Sequence, residues 1–152
     1  MKLLISEFVN GEPKAQPRCK ASRFTKGVYD PGTANGWKNA ITLELRRHMG
    51  DAITDALKVD TVFYFPRPKS HYGTGKNAGK LKASAPKYHT KVPDIDNLQK
   101  AVYDSLSVKI GIGVWKDDSQ IVTGKPEKLY ADGCPVGMRI RIYSLEQEEG
   151  DE

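Results

Sequence analysis

The feature that most constrains the fold is a long basic segment in the middle of the chain. Residues 67–91 contain seven lysine and arginine residues and no aspartate or glutamate. Because these like charges repel one another and large apolar side chains are few, the segment cannot form a core, and we predict a mobile basic loop over residues 67–92. The elements on either side must then share one core, since 152 residues support one domain rather than two.

Apolar periodicity predicts three elements before this loop. Residues 2–9 are rich in Leu, Ile, Phe and Val and end at Asn10-Gly11, a pair that suits a hairpin turn, so a first strand is expected there. Apolar residues at helical spacing predict a helix over residues 34–49. The β-branched and aromatic run at residues 57–65 predicts a strand that Pro66 ends.

Three more elements are expected after the loop. Apolar positions three and four residues apart predict a helix over residues 94–106. Two strands at residues 120–130 and 136–143 flank a turn-forming segment and are expected to form a long hairpin. The element order predicts an α/β (α+β) fold, a single domain over residues 1–145 with a mixed β-sheet and two main helices packed on one face.

The charge distribution indicates a polyanionic partner. Five of the 19 acidic residues lie within residues 146–152, so the remaining body carries 24 basic residues against 14 acidic ones, or +10. Such a surplus favours nucleic acid through the release of condensed counterions, although a solvated basic surface would have the same composition. We predict that the acidic tail, residues 146–152, is disordered.

The sequence contains no run of about 18 apolar residues and no signal-peptide pattern, so we expect a cytoplasmic protein without a membrane partner. Its two cysteines, Cys19 and Cys134, are far apart and have no neighbouring cysteine or histidine cluster. This spacing indicates neither a zinc site nor a disulfide framework.

Residues 93–100, PDIDNLQK, place two carboxylates where the basic loop enters the second predicted helix. Asp94 can cap this helix, Asp96 lies in its first turn, and Lys100 follows one turn later. A capped helix with an ion pair between Asp96 and Lys100 would explain the same residues without any function. Asp104, one further turn along, is expected to pair with Lys100 rather than to bind a metal.

A second acidic pair, Asp117 and Asp118, stands immediately before the predicted strand at residues 120–130. Adjacent like charges repel unless one turns to solvent or a cation neutralises them. Carboxylates at a helix start and a strand start can converge in an α/β fold, and Mg²⁺ takes such oxygen ligands together with water and substrate phosphate. An acidic cluster in a basic body therefore indicates phosphodiester hydrolysis with Mg²⁺, or Mn²⁺ as a substitute, and no small-molecule cofactor.

Basic residues before the first helix and within the basic loop are candidate phosphate contacts, and a solvated surface is the alternative. They are Arg18, Lys20, Arg23, Arg67, Lys69, Lys76, Lys80, Lys82, Lys87 and Lys91.

Several short strings occur in an order and spacing that together are specific, although each is weak alone. They are GEPKAQPRCK, FPRPKS at the end of a strand, PDIDNLQKAVYDSL, a Gly-Ile-Gly link, WKDDSQIV and KPEKLY. Over most of its length the chain resembles the RusA family of Holliday junction resolvases, of the type common in phages and prophages.

The resemblance implies a RusA-like fold and a homodimer that makes Mg²⁺-dependent paired nicks in four-way DNA junctions during recombination and repair. It implies that the essential aspartates are Asp94, Asp96 and Asp118, that Lys100 is the catalytic lysine, and that Lys128 contacts DNA. Asp117 is left open as a possible metal ligand, a group behind the metal ligands or an exposed acid.

Two other functions remain open at this point. One is a broader branched-DNA nuclease that uses the same carboxylates on flaps and forks. The other is a non-catalytic basic DNA-binding protein whose aspartates only cap helices and shape turns.

Overall fold

The computed structural model describes residues 1–24 and 27–145, so the predicted acidic tail lies outside the described residues. Within that part of the chain, no helix has the length and apolar character needed to cross a membrane. Its helices and strands follow the predicted order closely. They are β1 (Lys2–Asn10), β2 (Lys20–Ala21), β3 (Val28–Tyr29), α1 (Asn35–Leu45), β4 (Leu57–Phe65), α2 (Ile95–Leu106), β5 (Ile121–Thr123), β6 (Pro126–Tyr130) and β7 (Gly137–Ser144).

The main sheet is mixed, as predicted, and β4 lies at its centre. The order is β1-β7-β4-β5, and β6 also pairs with β4. β7 runs antiparallel to both β1 and β4, whereas β5 and β6 run parallel to β4. β5 pairs with the beginning of β4 and β6 with its end, so the predicted strand at residues 120–130 exists but is broken around Gly124. A Cβ at Gly124 would lie 2.0 Å from the carbonyl oxygen of Val59, which explains the glycine there.

The predicted hairpin between residues 120–130 and 136–143 is wrong. β6 and β7 lie on opposite sides of β4, and the segment between them crosses the end of that strand. β4 has a fully buried face and needs ladder partners on both edges, which a local hairpin would not provide. The turn at Asn10-Gly11 likewise does not form a hairpin with the following residues, because β1 pairs along its length with β7.

The core lies between one face of the sheet and the two helices. Alternate residues of β4 are buried, which is the period expected of a strand with one covered face. α1 contributes one buried stripe and α2 another, and the two helices contact each other. The buried residues of these elements are Leu57, Val59, Thr61, Phe63 and Phe65 in β4, Trp37, Ile41 and Leu45 in α1, and Leu98, Ala101, Val102, Ser105 and Leu106 in α2.

The link from α2 to β5 folds back tightly on the end of α2. Val114 donates its backbone N–H to the carbonyl of Leu106 at 2.7 Å, and Gly111 donates to that of Ser107 at 2.9 Å. A Cβ at Gly111 would lie 2.2 Å from the carbonyl oxygen of Ser105, so this position has no room for a side chain. The link therefore holds the following residues, including Asp118, at a defined place beside α2.

Replacing Gly111 by alanine tests this close approach. The clash is with backbone that cannot swing away, so we expect Gly111→Ala to lower the free energy of unfolding by about 1–3 kcal/mol. Gly36→Ala is the matched control, since Gly36 lies in α1 with open space around it and should gain about 0.4–1 kcal/mol. Urea titration measures both, and equal stability of the two variants would contradict the packing described.

Candidate functional site

The two carboxylates of the PDIDNLQK segment lie at the N-terminus of α2, where the helix dipole favours negative charge. Asp94 occupies the N-cap position with an extended backbone, but its side chain makes no capping hydrogen bond. The expected capping role of Asp94 is therefore wrong, and its exposed carboxylate remains available to a ligand. Asp96 is also exposed and accepts the neighbouring backbone N–H of Asn97, at 2.9 Å.

Lys100 lies one helical turn beyond Asp96 and points to solvent, with 62% of its side chain exposed. Its Nζ lies 3.8 Å from Oδ1 of Asp104, so the predicted pairing of these two residues is confirmed. An exposed pair of this length contributes little to stability. Lys100 therefore remains free to turn toward an anion at the start of α2.

Asp118 is held against α2 through two aromatic residues that the sequence reasoning missed. The indole N–H of the fully buried Trp115 donates to Oδ1 of Asp118 at 2.7 Å. Trp115 packs edge-on against Tyr103 of α2, with 5.9 Å between the ring centroids. Burial, followed by the charge of Asp118, raises the pKa of Tyr103. The tryptophan three residues before Asp118 was the available signal, since a buried indole N–H needs an acceptor.

Asp117 has a structural role. It caps a short 3₁₀ turn, Asp118–Gln120, by accepting the backbone N–H of Ser119 at 2.8 Å, while the side chain of Gln120 accepts the N–H of Asp117. These hydrogen bonds from Ser119 lower the pKa of Asp117. The adjacent aspartates thus diverge, because one carboxylate caps the turn and the other accepts from Trp115.

The grouping of Asp94, Asp96 and Asp118 around one metal ion stays a prediction. Within residues 1–24 and 27–145, no three histidine, cysteine, aspartate or glutamate side chains are grouped closely enough to hold a metal ion. The start of α2 instead offers two exposed carboxylates. That donor set fits Mg²⁺, which takes one or two protein carboxylates and completes its shell with water and substrate phosphate.

Most of the predicted phosphate contacts are exposed and lie in two segments of the chain, one before α1 and one before α2. Nine of the eleven are Arg18, Lys20 and Arg23 before α1, and Lys69, Lys76, Lys80, Lys82, Lys87 and Lys91 in the basic loop. Lys128 is half-buried and donates to the carbonyl of Lys91. Burial lowers the pKa of Lys128, and the charge of Asp94 opposes that shift, which places Lys128 in the field of the site.

Arg67 does not have the surroundings of a DNA contact. Its side chain is only 4% exposed, and its Nε donates to Asp132 at 2.8 Å while Nη2 donates to the other oxygen of that carboxylate. Nη1 donates to the carbonyl of Pro86 at 2.7 Å, and the guanidinium lies 4.9 Å from the ring centroid of Tyr130. We therefore correct its assignment, because these contacts engage Arg67 in fastening the basic loop to the end of β6.

His89 fastens the other end of that loop. Its ring stacks on Phe65 at 4.1 Å and meets Tyr130 edge-on at 5.1 Å. Nδ1 of His89 is buried without a hydrogen-bond partner among the described residues. Burial, and then the charge of Lys128, lower the pKa of His89. The loop predicted to be mobile thus has packed ends, and its mobility stays a prediction.

A pH titration of stability tests the environment of His89. Because folding lowers this pKa, the unfolded chain takes up a proton first, and stability falls as the pH drops below about 6.5. We expect His89→Phe to keep the stacking and to remove part of this loss between pH 7 and pH 5. Thermal unfolding of both proteins across that range measures it, and parallel pH curves would contradict the assignment.

Conservative exchange of Arg67 tests the loop anchor. Lysine keeps the charge but cannot make the bidentate contact, so Arg67→Lys should lower the free energy of unfolding by about 2 kcal/mol and speed tryptic cleavage within residues 67–91. The exposed exchange Lys76→Arg is the control and should change neither property. Wild-type protease resistance in Arg67→Lys would show that the anchor is unimportant.

Known proteins match this chain over nearly its whole length. The family model of endodeoxyribonuclease RusA matches residues 10–143, which include both helices, the basic loop and all the aspartates discussed above. A protein of Bacillus subtilis (strain 168), the uncharacterized protein YqaN, is 35% identical over 143 residues, covering 92% of this chain and 97% of that protein. The resemblance seen in the sequence motifs is confirmed, and the chain belongs to the RusA family of endodeoxyribonucleases.

Proposed function

We propose that this chain is a divalent-metal-dependent endonuclease that resolves four-way DNA junctions by paired nicks. The observation that carries the proposal is the pair of exposed, uncapped carboxylates of Asp94 and Asp96 at the start of α2, with Lys100 one turn later. They lie within a body that has a large excess of basic residues. Membership of the RusA family supports DNA as the substrate.

The carboxylates of Asp94 and Asp96 would hold Mg²⁺, or Mn²⁺ in its place. When bound, the ion supplies neutralisation of phosphate charge and activation of the attacking water. Asp118 is kept in one orientation by the N–H of Trp115, which leaves its second oxygen as a candidate acceptor for the metal or its water. Lys100 offsets negative charge that develops on the phosphate and the leaving oxygen.

The exposed lysines and arginines on either side of α2 bind the DNA backbone. Each neutralised phosphate releases counterions, so affinity falls steeply as salt is added. Contacts with phosphates do not distinguish one base sequence from another, which suits recognition of the junction by its shape. The basic loop closes on the substrate while its ends stay fastened at Arg67 and His89.

A homodimer completes the proposal. A four-way junction has two-fold symmetry. Two copies of one site related by a two-fold axis would therefore each cut one of two symmetry-related strands on opposite sides of the junction. Resolution by paired nicks places the enzyme in DNA recombination and repair, in the cytoplasm of a bacterium or of a phage-infected cell.

The test is cleavage of a synthetic four-way junction, beside a linear duplex and a single flap, with Mg²⁺ and with chelator. We expect symmetric nicks at the junction that require the metal and disappear in Asp96→Asn, while junction binding is kept or tightened because a negative charge is removed. Lys100→Met should lower the cleavage rate by about two orders of magnitude with little change in affinity. Asp51→Asn, which removes an exposed carboxylate outside the site, should cleave as the wild type does.

Other outcomes separate the alternative functions. Equal cutting of the flap would indicate a broader branched-DNA nuclease. Tight junction binding without cleavage in any divalent metal would indicate a DNA-binding protein and would overturn the proposed reaction.

A further inference from the structure

The most exposed aromatic side chain among the described residues lies in a basic hairpin that the proposed chemistry does not use. β2 and β3 pair as a small two-stranded sheet, with Lys20 opposite Tyr29 and Ala21 opposite Val28. Phe24 lies in the connection between these strands and is 95% exposed. Val28 is 70% exposed on the same hairpin. Burying a phenylalanine contributes about 1.5–3 kcal/mol, so a side chain left this exposed has no role in folding.

The charged residues next to Phe24 in the sequence are all positive. Residues 13–29 contain no aspartate or glutamate, and Arg18, Lys20 and Arg23 are exposed. A second copy of the same hairpin would be repelled by these charges, whereas a polyanion would be attracted. Basic side chains around an exposed aromatic ring match nucleic acid in particular, because every base offers a face for stacking and every nucleotide a phosphate.

The base of the hairpin is fixed beside the carboxylates at the start of α2. Gln16, which is 8% exposed, donates its backbone N–H to the carbonyl of Asn97 at 3.0 Å. Its side chain donates to Asp30 at 2.9 Å and accepts from Lys38 at 2.8 Å. Gln16 thus connects the two sides of the hairpin with each other and with Asn97, the neighbour of Asp96 in the first turn of α2.

This anchoring limits where Phe24 can be. Eight residues separate it from Gln16, and a fully extended chain of that length spans at most roughly 26–29 Å. That is less than one turn of duplex DNA, which is about 34 Å long. A ring on this hairpin can therefore reach bases within one turn of a phosphate bound at Asp94 and Asp96.

We propose that the β2–β3 hairpin recognises the branch point of the junction, with Phe24 stacked on a base at the branch and Arg18, Lys20 and Arg23 on the flanking phosphates. This inference rests on the proposed function and adds the means by which a branch is distinguished from a continuous duplex. Apolar wedges of this kind insert where base stacking is interrupted and repay the cost of unstacking with contact area. A continuous duplex offers no such interruption.

The experiment compares a fully paired junction with one that has two unpaired bases at the branch point. Phe24→Ala should cleave the paired junction about tenfold more slowly than the wild type, as expected from the loss of one stacked base. On the pre-opened junction the same variant should match the wild type, because the unstacking is already done. Phe24→Trp should match the wild type on both, and Leu3→Ala, which shortens a half-exposed apolar side chain on β1, should also match it.

Unchanged cleavage of the paired junction by Phe24→Ala would overturn the proposal. An equal loss on both junctions would overturn it too, because it would indicate a general effect on affinity or structure.

A second measurement does not require cleavage. In chelator, permanganate should oxidise branch-point thymines more in the wild-type complex than in the Phe24→Ala complex. If the wild type cuts no junction but shows this difference, the proposed reaction fails and the hairpin assignment stands. Equal reactivity, or wild-type binding to phosphatidylserine vesicles in place of DNA, would overturn the hairpin assignment.

Discussion

The site depends on one polar contact between the core and the surface, the hydrogen bond from the indole of the buried Trp115 to the exposed Asp118. A buried indole N–H without an acceptor costs free energy, so the bond to Asp118 stabilises both the position of Trp115 and the orientation of the carboxylate. Because Trp115 also packs on Tyr103, the same contact fixes Asp118 against the helix that begins with Asp94 and Asp96. Core packing thereby contributes to the position of Asp118. The tight link at Gly111, which folds back on the end of α2, contributes as well.

One basic segment precedes α1 and the other precedes α2, and each is fastened by contacts with distant parts of the chain. The hairpin before α1 is held through Gln16 to Asn97. The basic loop is held through Arg67, His89 and the contact of Lys128 with Lys91. Fixed ends with exposed basic side chains between them lower the entropy lost when a polyanion binds. Charge and anchoring together thus suit both segments to binding a polyanion.

The elements with strong local periodicity could be predicted from the sequence. β4 matches its predicted bounds, and α2 begins one residue late, because their apolar patterns directly express which face is buried. The prediction of a hairpin over residues 120–130 and 136–143 failed because β6 pairs in parallel with β4. This is a long-range contact that local turn residues do not encode. The assignment of Arg67 as a DNA contact failed because its charge suggested a phosphate partner. No local sequence pattern indicates that Asp132 is its partner instead. The aspartates could be found by motif, but the position of Asp118 relative to the start of α2 depends on the path of the link after α2, which no local pattern encodes.

The central claim is that Asp94 and Asp96 hold a metal ion at the phosphate that is cut. The most direct measurement uses a four-way junction in which sulfur replaces one non-bridging oxygen of that phosphate. Sulfur binds Mg²⁺ poorly and softer ions better, so the account predicts that cleavage is lost with Mg²⁺ and restored with Mn²⁺, in the wild type but not in Asp94→Asn. Equal cleavage of the sulfur-substituted junction in both ions, or cleavage that persists in chelator, would contradict it.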